Sequence, residues 1–473
     1  MITFLISIAA LLLGYFVYGK FVDRFFGTDS GRTTPAVAHP DGIDYNPLKP
    51  WKIFVIQFLN IAGLGPIFGA ILGASFGPVA YIWIVLGCIF MGAVHDYLSG
   101  MLSIRNDGKS LPDLIGTYLG KRVKILLVIF TGLLLMAVGA SFVNGPSKLL
   151  AKLTDTDIVI WVYIVLAYYV LATLLPIDKI IGKIYPFMGA ALLFMALGIG
   201  AAIVIKGFAG DISPVELTPE TLRNYRPDSN EYMVIPMLFI LISCGAISGF
   251  HATQSPLMAK CITNEKYGRK IFYGAMIAEG IVASIWATAA MAYFGGPDGL
   301  NASGVDASKI VNDICNSWLG KVGAVFAIIG VVICPVTSGD TAFRSLRLIF
   351  ADALNFSQKP IKNRLIISIP IFIVAFVLCN IDFSTLWTYV GISNQVLATI
   401  TLWACSAYFI SVGKPHWMTS IPATFLSFIC SCFFLIAPVK EGGLNLDPVI
   451  GYVGGALFAI GIAVLFFFYK RKA

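Results

Sequence analysis

Charged residues are scarce in this sequence: they make up 12% of its 473 residues, whereas a soluble domain carries roughly a quarter. Hydrophobic residues make up 58%, which excludes a water-soluble globular protein. Apolar stretches of about 20 residues recur along the chain, and this is the length at which a helix crosses a hydrocarbon layer of roughly 30 Å. The sequence therefore predicts an all-α polytopic membrane protein with a single transmembrane domain over residues 1–473.

Histidine and paired cysteines are also scarce, with 4 histidines and 9 cysteines in the chain. Only Cys430 and Cys432 lie close together, and no further Cys or His stands at a ligand spacing beside them. No two histidines show the HExxH spacing of a metal-dependent hydrolase. We therefore expect no metal, no cofactor and no enzymatic activity. The net charge of +8 resides in short loops, so no nucleic acid partner is expected.

Apolar runs between charged or Pro/Gly-rich breaks predict thirteen membrane spans. They cover residues 2–18, 51–75, 78–101, 122–145, 158–176, 183–205, 232–257, 270–294, 320–343, 364–380, 385–411, 417–437 and 447–469. Basic loops alternate with non-basic ones, and the basic segments are 105–124, 179–183, 260–270, 344–364 and 470–472. Because basic loops stay in the cytoplasm, we expect the N-terminus outside and the C-terminus inside. The first span lacks a cleavage pattern and is expected to be a mature helix.

Two of the predicted spans carry an interruption in mid-membrane. The second span contains Asn60, Gly63, Gly65 and Pro66, and the seventh contains the polar, glycine-bearing run 243–256. Proline removes a backbone donor and glycine relaxes the backbone, so neither segment is expected to be a continuous helix. The alternative is a pair of kinked structural helices.

The spacing of the two interruptions predicts an inverted repeat. Five spans separate their starts, and an odd number reverses the chain direction. We predict repeats over residues 51–205 and 232–411, in the LeuT-like five-plus-five arrangement of sodium-coupled amino-acid transporters. Residues 1–50 would add an N-terminal helix and a cytoplasmic loop, and 417–473 would add two flanking helices. Free N–H groups of half-helices suit a carboxylate, and free carbonyls suit a cation.

Polar side chains within the spans are candidate site residues, because an ionisable group there costs about 2.5–3.5 kcal/mol on insertion scales. The residues predicted to bind substrate are Asn60, Gly63, Gly65, Pro66, Ser248, His251, Gln254, Asn394 and Gln395. The alternative for Asn394 and Gln395 is hydrogen bonding between helices, and the same holds for Glu279.

A second set of polar residues is predicted to bind a coupling ion or proton: His95, Asp96, Thr337, Ser338 and Asp340. Thr337 and Ser338 offer hydroxyl oxygens to a cation, and Asp340 is a candidate proton carrier. His95 stands beside Asp96 within an apolar run, and histidine is the residue type best suited to proton coupling near neutral pH. The alternatives are an ion pair of Asp340 with Arg344 at a helix end, and a histidine that only joins two helices.

Four segments carry a family resemblance: GPIFGA at 65–70, FMGAVHD at 90–96, the stretch 248–256, and GISNQVLA at 391–398. With them the chain resembles the carbon starvation protein A (CstA) family of bacterial inner-membrane transporters over most of its length. The resemblance implies uptake of peptides or pyruvate during nutrient limitation, with proton coupling, and membership of the amino acid, polyamine and organocation (APC) transporter superfamily. The chain is shorter than the better-known members, which carry additional C-terminal segments.

The function predicted from these features is secondary active transport of a small carboxylate-bearing nutrient by alternating access. Its expected partners are a small-molecule substrate and the lipid bilayer, and the oligomeric state stays open. The alternatives are a membrane-embedded nutrient sensor that binds without transport, and sodium-coupled uptake. A channel is disfavoured, since the sequence has no charged ring or filter-like loop.

Overall fold

A computed structural model describes residues 1–42, 44–174, 177–358 and 360–472, and every regular element in these ranges is helical. The prediction of an all-helical chain is confirmed. The main helices are α1 Ile2–Phe26, α2 Pro50–Ile61, α3 Gly65–Ala74, α4 Val79–Arg105, α5 Leu111–Leu119, α6 Lys121–Thr154, α7 Ile158–Leu174, α8 Ile177–Ala209, α9 Val234–Leu238 continuing as Phe239–Leu241, α10 Gly249–Ala259, α11 Glu265–Tyr293, α12 Ala307–Ala353, α13 Ile361–Leu378, α14 Phe383–Ser411, α15 Trp417–Ile436 and α16 Pro448–Lys472.

Ten helices within the described ranges are long and apolar enough to cross a membrane, or eleven when the bent pair α2 and α3 is one span. The predicted number was thirteen. It is higher because α7 is short and because the predicted span 232–257 is divided between α9 and α10. The count of thirteen therefore stays a prediction. Residues 175–176, at the end of one predicted span, and Lys359, in one predicted basic loop, lie outside the described residues.

Burial separates central helices from peripheral ones. The most apolar stretch of α11 is 89% buried and that of α14 is 83% buried. The corresponding values are 28% for α1, 28% for α13 and 17% for α16, so these helices lie at the rim with apolar side chains facing outward. The first predicted span is therefore peripheral, and the polar side chains of α11 and α14 lie in the interior.

Both predicted interruptions are present. Helix α2 ends at Ile61, and α3 resumes at Gly65 after a bend of 54°. Pro66 lies in the first turn of α3, where its missing N–H costs no hydrogen bond. In the second interruption α9 ends at Leu241, and α10 begins at Gly249 after Ser248 in an extended conformation. Four half-helix ends are thus enclosed within the protein.

Helix α12 is the longest, and it is bent by a glycine. Gly320 has φ 65 and ψ 176, outside the helical region. A positive φ of this size favours glycine, so the bend is encoded locally. Beyond it, α12 packs against α6 and α8 and also contacts α2. This contact brings the predicted cation ligands of α12 to the first interruption.

Candidate functional site

The two interruptions are in direct contact. A Cβ placed on Gly65 would lie 2.0 Å from the Cβ of Cys244, and a Cβ on Gly245 would lie 3.8 Å from the Cα of Pro66. Only glycine permits an approach this close at position 65, because a real Cβ would overlap its neighbour. Gly63 is similarly enclosed, with the ring of Phe142 2.5 Å from its ideal Cβ. The sequence prediction that these segments meet is therefore supported by their packing.

Asn394 and Gln395 of α14 hold the ends of the second interrupted helix. The Phe250 N–H at the start of α10 donates to Asn394 Oδ1 at 3.0 Å. Gln395 Nε2 donates to the Phe239 carbonyl of α9 at 2.9 Å. These bonds satisfy backbone groups that a broken helix leaves without partners. The geometry fits the hydrogen-bonding alternative for both side chains, and substrate binding by them stays a prediction.

Ser248 lies at the start of α10, at 0% exposure. Its Oγ accepts a hydrogen bond from the Cys244 thiol at 3.5 Å. The Cys244 sulfur also accepts from Asn394 Nδ2 at 3.8 Å. The residues on both sides of the second interruption are therefore joined to one another and to α14.

Three buried residues form a short hydrogen-bonded chain centred on Asp96. Its Oδ1 lies 2.8 Å from His95 Nδ1, and its Oδ2 lies 2.9 Å from His251 Nδ1. All three side chains have 0% exposure. The first pair shares α4, whereas His251 is 155 residues further along the chain, on α10. Sequence reasoning placed His251 with the substrate ligands, and the structure places it against the predicted coupling residue.

Glu279 of α11 extends this group. Its Oε2 lies 3.4 Å from His251 Nε2, and both side chains are fully buried. Sequence reasoning noticed Glu279 as a buried polar residue and gave it no partner. The sequence did contain a signal for a functional role: Glu279 is the only acidic residue in the apolar stretch between Gly274 and Tyr293. We use the name Asp96 cluster for His95, Asp96, His251 and Glu279.

Three buried amides near the first interruption have side-chain atoms without a hydrogen-bond partner among the described residues. The atoms without a partner are Oδ1 and Nδ2 of Asn60, Oε1 and Nε2 of Gln57, and Oε1 of Gln254. All three side chains have 0% exposure, and leaving a buried polar atom unpaired costs about 1–3 kcal/mol. Asn60 and Gln254 were predicted to bind substrate. Gln57 was missed, although its i, i+3 spacing to Asn60 puts both on one face of α2.

The hydroxyls of Thr337 and Ser338 are engaged with backbone carbonyls. Ser338 Oγ donates to the Leu59 carbonyl at 2.7 Å, and Thr337 Oγ1 donates to Cys334 O at 2.7 Å. The predicted proximity of α12 to the end of α2 is therefore present, but Leu59 O already accepts a protein donor. Both hydroxyl oxygens keep lone pairs, and cation binding by Thr337 and Ser338 stays a prediction.

Asp340 lies further along α12 and is buried, with 1% exposure. Its neighbour Arg344 donates from Nη2 to the Ala172 carbonyl at 2.9 Å. In the described part of the chain, the hydrogen bonds and ion pairs of the Asp96 cluster involve neither Asp340 nor the two hydroxyls. The predicted coupling residues therefore fall into two groups: His95 and Asp96 belong to the Asp96 cluster, whereas Thr337, Ser338 and Asp340 lie on α12.

Two connected cavities lead to α10 from the face predicted to be cytoplasmic. The larger, of about 890 Å³, is lined by residues of loops and helix ends, among them Lys109, Lys124 and Lys260. The smaller, of about 20 Å³, shares Lys260 with it and is lined by Thr253 and Ser345. Ser345 Oγ donates to the Thr253 carbonyl at 3.2 Å, so two residues of this lining are bonded to each other. We refer to these cavities together as the vestibule.

The geometry is that of a closed polar site. Among the described residues no group of three or more His, Cys, Asp or Glu side chains is arranged to hold a metal ion. The arrangement offers protons and hydrogen bonds at the point where two helices are broken.

Solved structures with a similar fold are transporters of the LeuT fold. A point mutant of a manganese transporter from Eremococcus coleocola aligns with a TM-score of 0.57 at 13% identity, over 92% of this chain and 99% of that one. MhsT in complex with L-phenylalanine aligns with a TM-score of 0.57 at 12% identity, over 90% and 99% of the two chains. At these identities the likeness concerns the fold alone.

Several curated proteins are similar in sequence. An uncharacterized membrane protein of Haemophilus influenzae is 43% identical over 63% of this chain and 93% of its own length. The peptide transporter CstA of Campylobacter jejuni is 25% identical over 94% of this chain and 81% of its own length. The pyruvate/proton symporter BtsT of Escherichia coli is 26% identical over 59% of this chain and 47% of its own length.

A family model described as carbon starvation protein CstA matches residues 1–155, 132–295 and 287–432. These matches span most of the sequence and include all members of the Asp96 cluster and both interruptions. The chain therefore belongs to the carbon starvation protein CstA family.

Proposed function

We propose that the protein is a proton-driven secondary transporter that imports a small carboxylate-bearing nutrient, a peptide or pyruvate, across the bacterial inner membrane. The observation that carries this proposal is Asp96, a fully buried carboxylate bonded on both sides by imidazoles next to two broken helices. Ionisable groups at such depth mark proton or ion pathways. The names of the relatives, a peptide transporter and a pyruvate/proton symporter, support this substrate class and ion.

The substrate carboxylate is proposed to bind between the two interruptions. The start of α10 carries the positive end of its helix dipole, which favours an anion, although its Phe250 and His251 N–H groups already donate to Asn394 and Ser248. The Asn60 amide, which has no partner among the described residues, offers a donor to the carboxylate, and the free Oε1 of Gln254 offers an acceptor to a donor group of the substrate. Gly63, Gly65 and Pro66 bind through their backbone, and their role is to let the two segments approach.

The proposed architecture has two inverted five-span repeats, 51–205 and 232–411, within thirteen spans. The bend between α2 and α3 and the break between α9 and α10 support it, since each would open one repeat. The N-terminus is then outside and the C-terminus cytoplasmic. The vestibule opens to the cytoplasm in this orientation, and its larger cavity is lined by four lysines and four aspartates.

Uptake into proteoliposomes tests the proposal. The purified protein is reconstituted, and labelled pyruvate or alanyl-alanine is supplied under an inward proton gradient, an inward sodium gradient, or neither. Accumulation that requires the proton gradient supports proton coupling. Accumulation that requires the sodium gradient alone would show that the coupling ion is sodium and not a proton. Saturable binding without flux would indicate a sensor.

A further inference from the structure

Glu279 stands out as a buried acid without a hydrogen bond. Both of its carboxylate oxygens lack a hydrogen-bond partner among the described residues, and its side chain has 0% exposure. Its Oε2 lies 3.4 Å from His251 Nε2, an ionisable atom on α10. An ionised carboxylate removed from water without a donor is strongly disfavoured, so this position calls for a proton.

The hydrogen bonds around Asp96 determine where that proton can lie. An ionised Asp96 only accepts, so His95 and His251 both donate to it from Nδ1. A neutral His251 then presents the lone pair of Nε2 towards Glu279 Oε2. Nε2 of His251 and Oε2 of Glu279 are then two hydrogen-bond acceptors 3.4 Å apart, which repel each other. A single proton between them turns the repulsion into a hydrogen bond.

Asp96 and three thiols are the other ionisable groups close enough to Glu279 for their charges to interact with it. Cys88 of α4 donates to the Met276 carbonyl at 3.2 Å, Cys244 lies in the second interruption, and Cys334 belongs to α12. In the described ranges, none of the ion pairs of Glu279 involves a Lys or Arg side chain. His251 is the group joined to this carboxyl group by a short distance, 3.4 Å between Nε2 and Oε2, and it is therefore the partner we assign to it for proton exchange.

We propose that the coupling proton is held between Glu279 and His251, and that Glu279 is its carrier. The proton leaves Glu279 Oε2 for His251 Nε2, and the imidazole then gives its Nδ1 proton to Asp96 Oδ2. Each transfer breaks one O–H or N–H bond and forms another, so no further reactant is needed. The proposal rests on the proposed transport function and names the group that couples it to protons.

The location of the pair explains how a proton can drive a conformational change. His251 lies in the first turn of α10, directly after an interruption, whereas Glu279 lies on the central, continuous helix α11. A proton between them joins the half-helix to the scaffold. When the proton has left the cluster and His251 again donates from Nδ1 to Asp96, two acceptors face each other across the pair, and this favours separation of α10 from α11.

The test compares Glu279→Gln with wild type in proteoliposomes. We expect pH-gradient-driven accumulation of labelled substrate to fall at least tenfold, while exchange of labelled for unlabelled substrate at equal pH continues. Ser284→Ala is the matched control, because Ser284 lies on the same helix and donates only to the Gly280 carbonyl. This variant should accumulate substrate as the wild type does. Driven accumulation by Glu279→Gln at the wild-type level would overturn the proposal.

A direct proton count keeps the inference testable if exchange is also lost. In detergent, Glu279→Gln should release about one proton fewer per molecule than wild type over a titration from pH 5 to 9. Glu279→Asp should retain driven accumulation with a shifted pH profile. An unchanged proton count, or a Glu279→Asp profile identical to wild type, would assign the proton elsewhere. If the wild type itself fails to accumulate substrate under any gradient, the proposed function is wrong, whatever Glu279 does.

Discussion

Replacing Asp96 with asparagine tests the centre of the cluster most directly. The carboxylate accepts hydrogen bonds from two imidazoles, at 2.8 and 2.9 Å, with no exposure to solvent. Asparagine has one acceptor oxygen, so its NH₂ group must face the other imidazole donor. One hydrogen bond to a charged group is lost, worth about 1.5–3 kcal/mol, and the side chain can no longer take up a proton.

The expected effect on transport follows from the driving force. A gradient of one pH unit is worth about 1.36 kcal/mol per proton, which supports about tenfold accumulation when one proton accompanies one substrate. Without coupling, the substrate only equilibrates. In Asp96→Asn the accumulation ratio should therefore fall from about ten to about one under a gradient of about one pH unit.

The assay uses proteoliposomes with the membrane potential clamped by potassium and valinomycin, so that only the pH gradient drives uptake. Asp211→Asn is the matched control, because the Asp211 side chain is 60% exposed and its Oδ2 lies 3.8 Å from Lys206 Nζ. This surface pair contributes little, and the variant should accumulate substrate normally. Tenfold accumulation by Asp96→Asn would refute the relay.

Three further substitutions test the framework around the site by thermal unfolding in detergent. Gly65→Ala forces a Cβ to within 2.0 Å of Cys244 Cβ, and should destabilise the protein by about 1–3 kcal/mol or more. Asn394→Ala leaves the Phe250 N–H without its acceptor, and should cost about 1–3 kcal/mol. Glu216 caps the start of α1 from the 210–233 loop. Partial burial alone would raise the pKa of Glu216, but hydrogen bonds from the amino terminus and the first turn of α1 lower it to about 2. Its stabilising effect is present above its ordinary value of 4.5 and is lost as the pH falls towards 2. Glu216→Gln should therefore lower stability at neutral pH, by less than about 1 kcal/mol given its 38% exposure, and the difference should shrink below pH 4.

Matched variants separate these effects from those of substitution itself. Gly461 has no atom within 4 Å of its ideal Cβ, so Gly461→Ala should leave stability unchanged or raise it by up to about 1 kcal/mol. Asn380 is exposed and donates only to carbonyls of its own helix, so Asn380→Ala should have little effect. Equal destabilisation by Gly65→Ala and Gly461→Ala would contradict the close packing of the interruptions. A Glu216→Gln effect that grows in acid would contradict the direction of the pKa shift.

The sequence by itself determined the helical class and the places where helices break. Both depend on local chemistry, because apolar runs of this length have one stable form in lipid, and Gly63, Gly65 and Pro66 weaken a helix wherever it lies. The bend of 54° after Ile61 and the extended Ser248 are the outcomes. Family membership was also readable from short segments, since these have little freedom to vary at close contacts such as that of Gly65.

Only the tertiary structure decided which buried polar groups act together. His251 and Asp96 are 155 residues apart, and Glu279 had no partner by sequence spacing. No periodicity within one helix encodes a contact between α4, α10 and α11, because it depends on how the broken helix seats against its neighbours. For the same reason the amides of Asn394 and Gln395, which by sequence alone could serve a substrate or another helix, are found on the ends of α9 and α10.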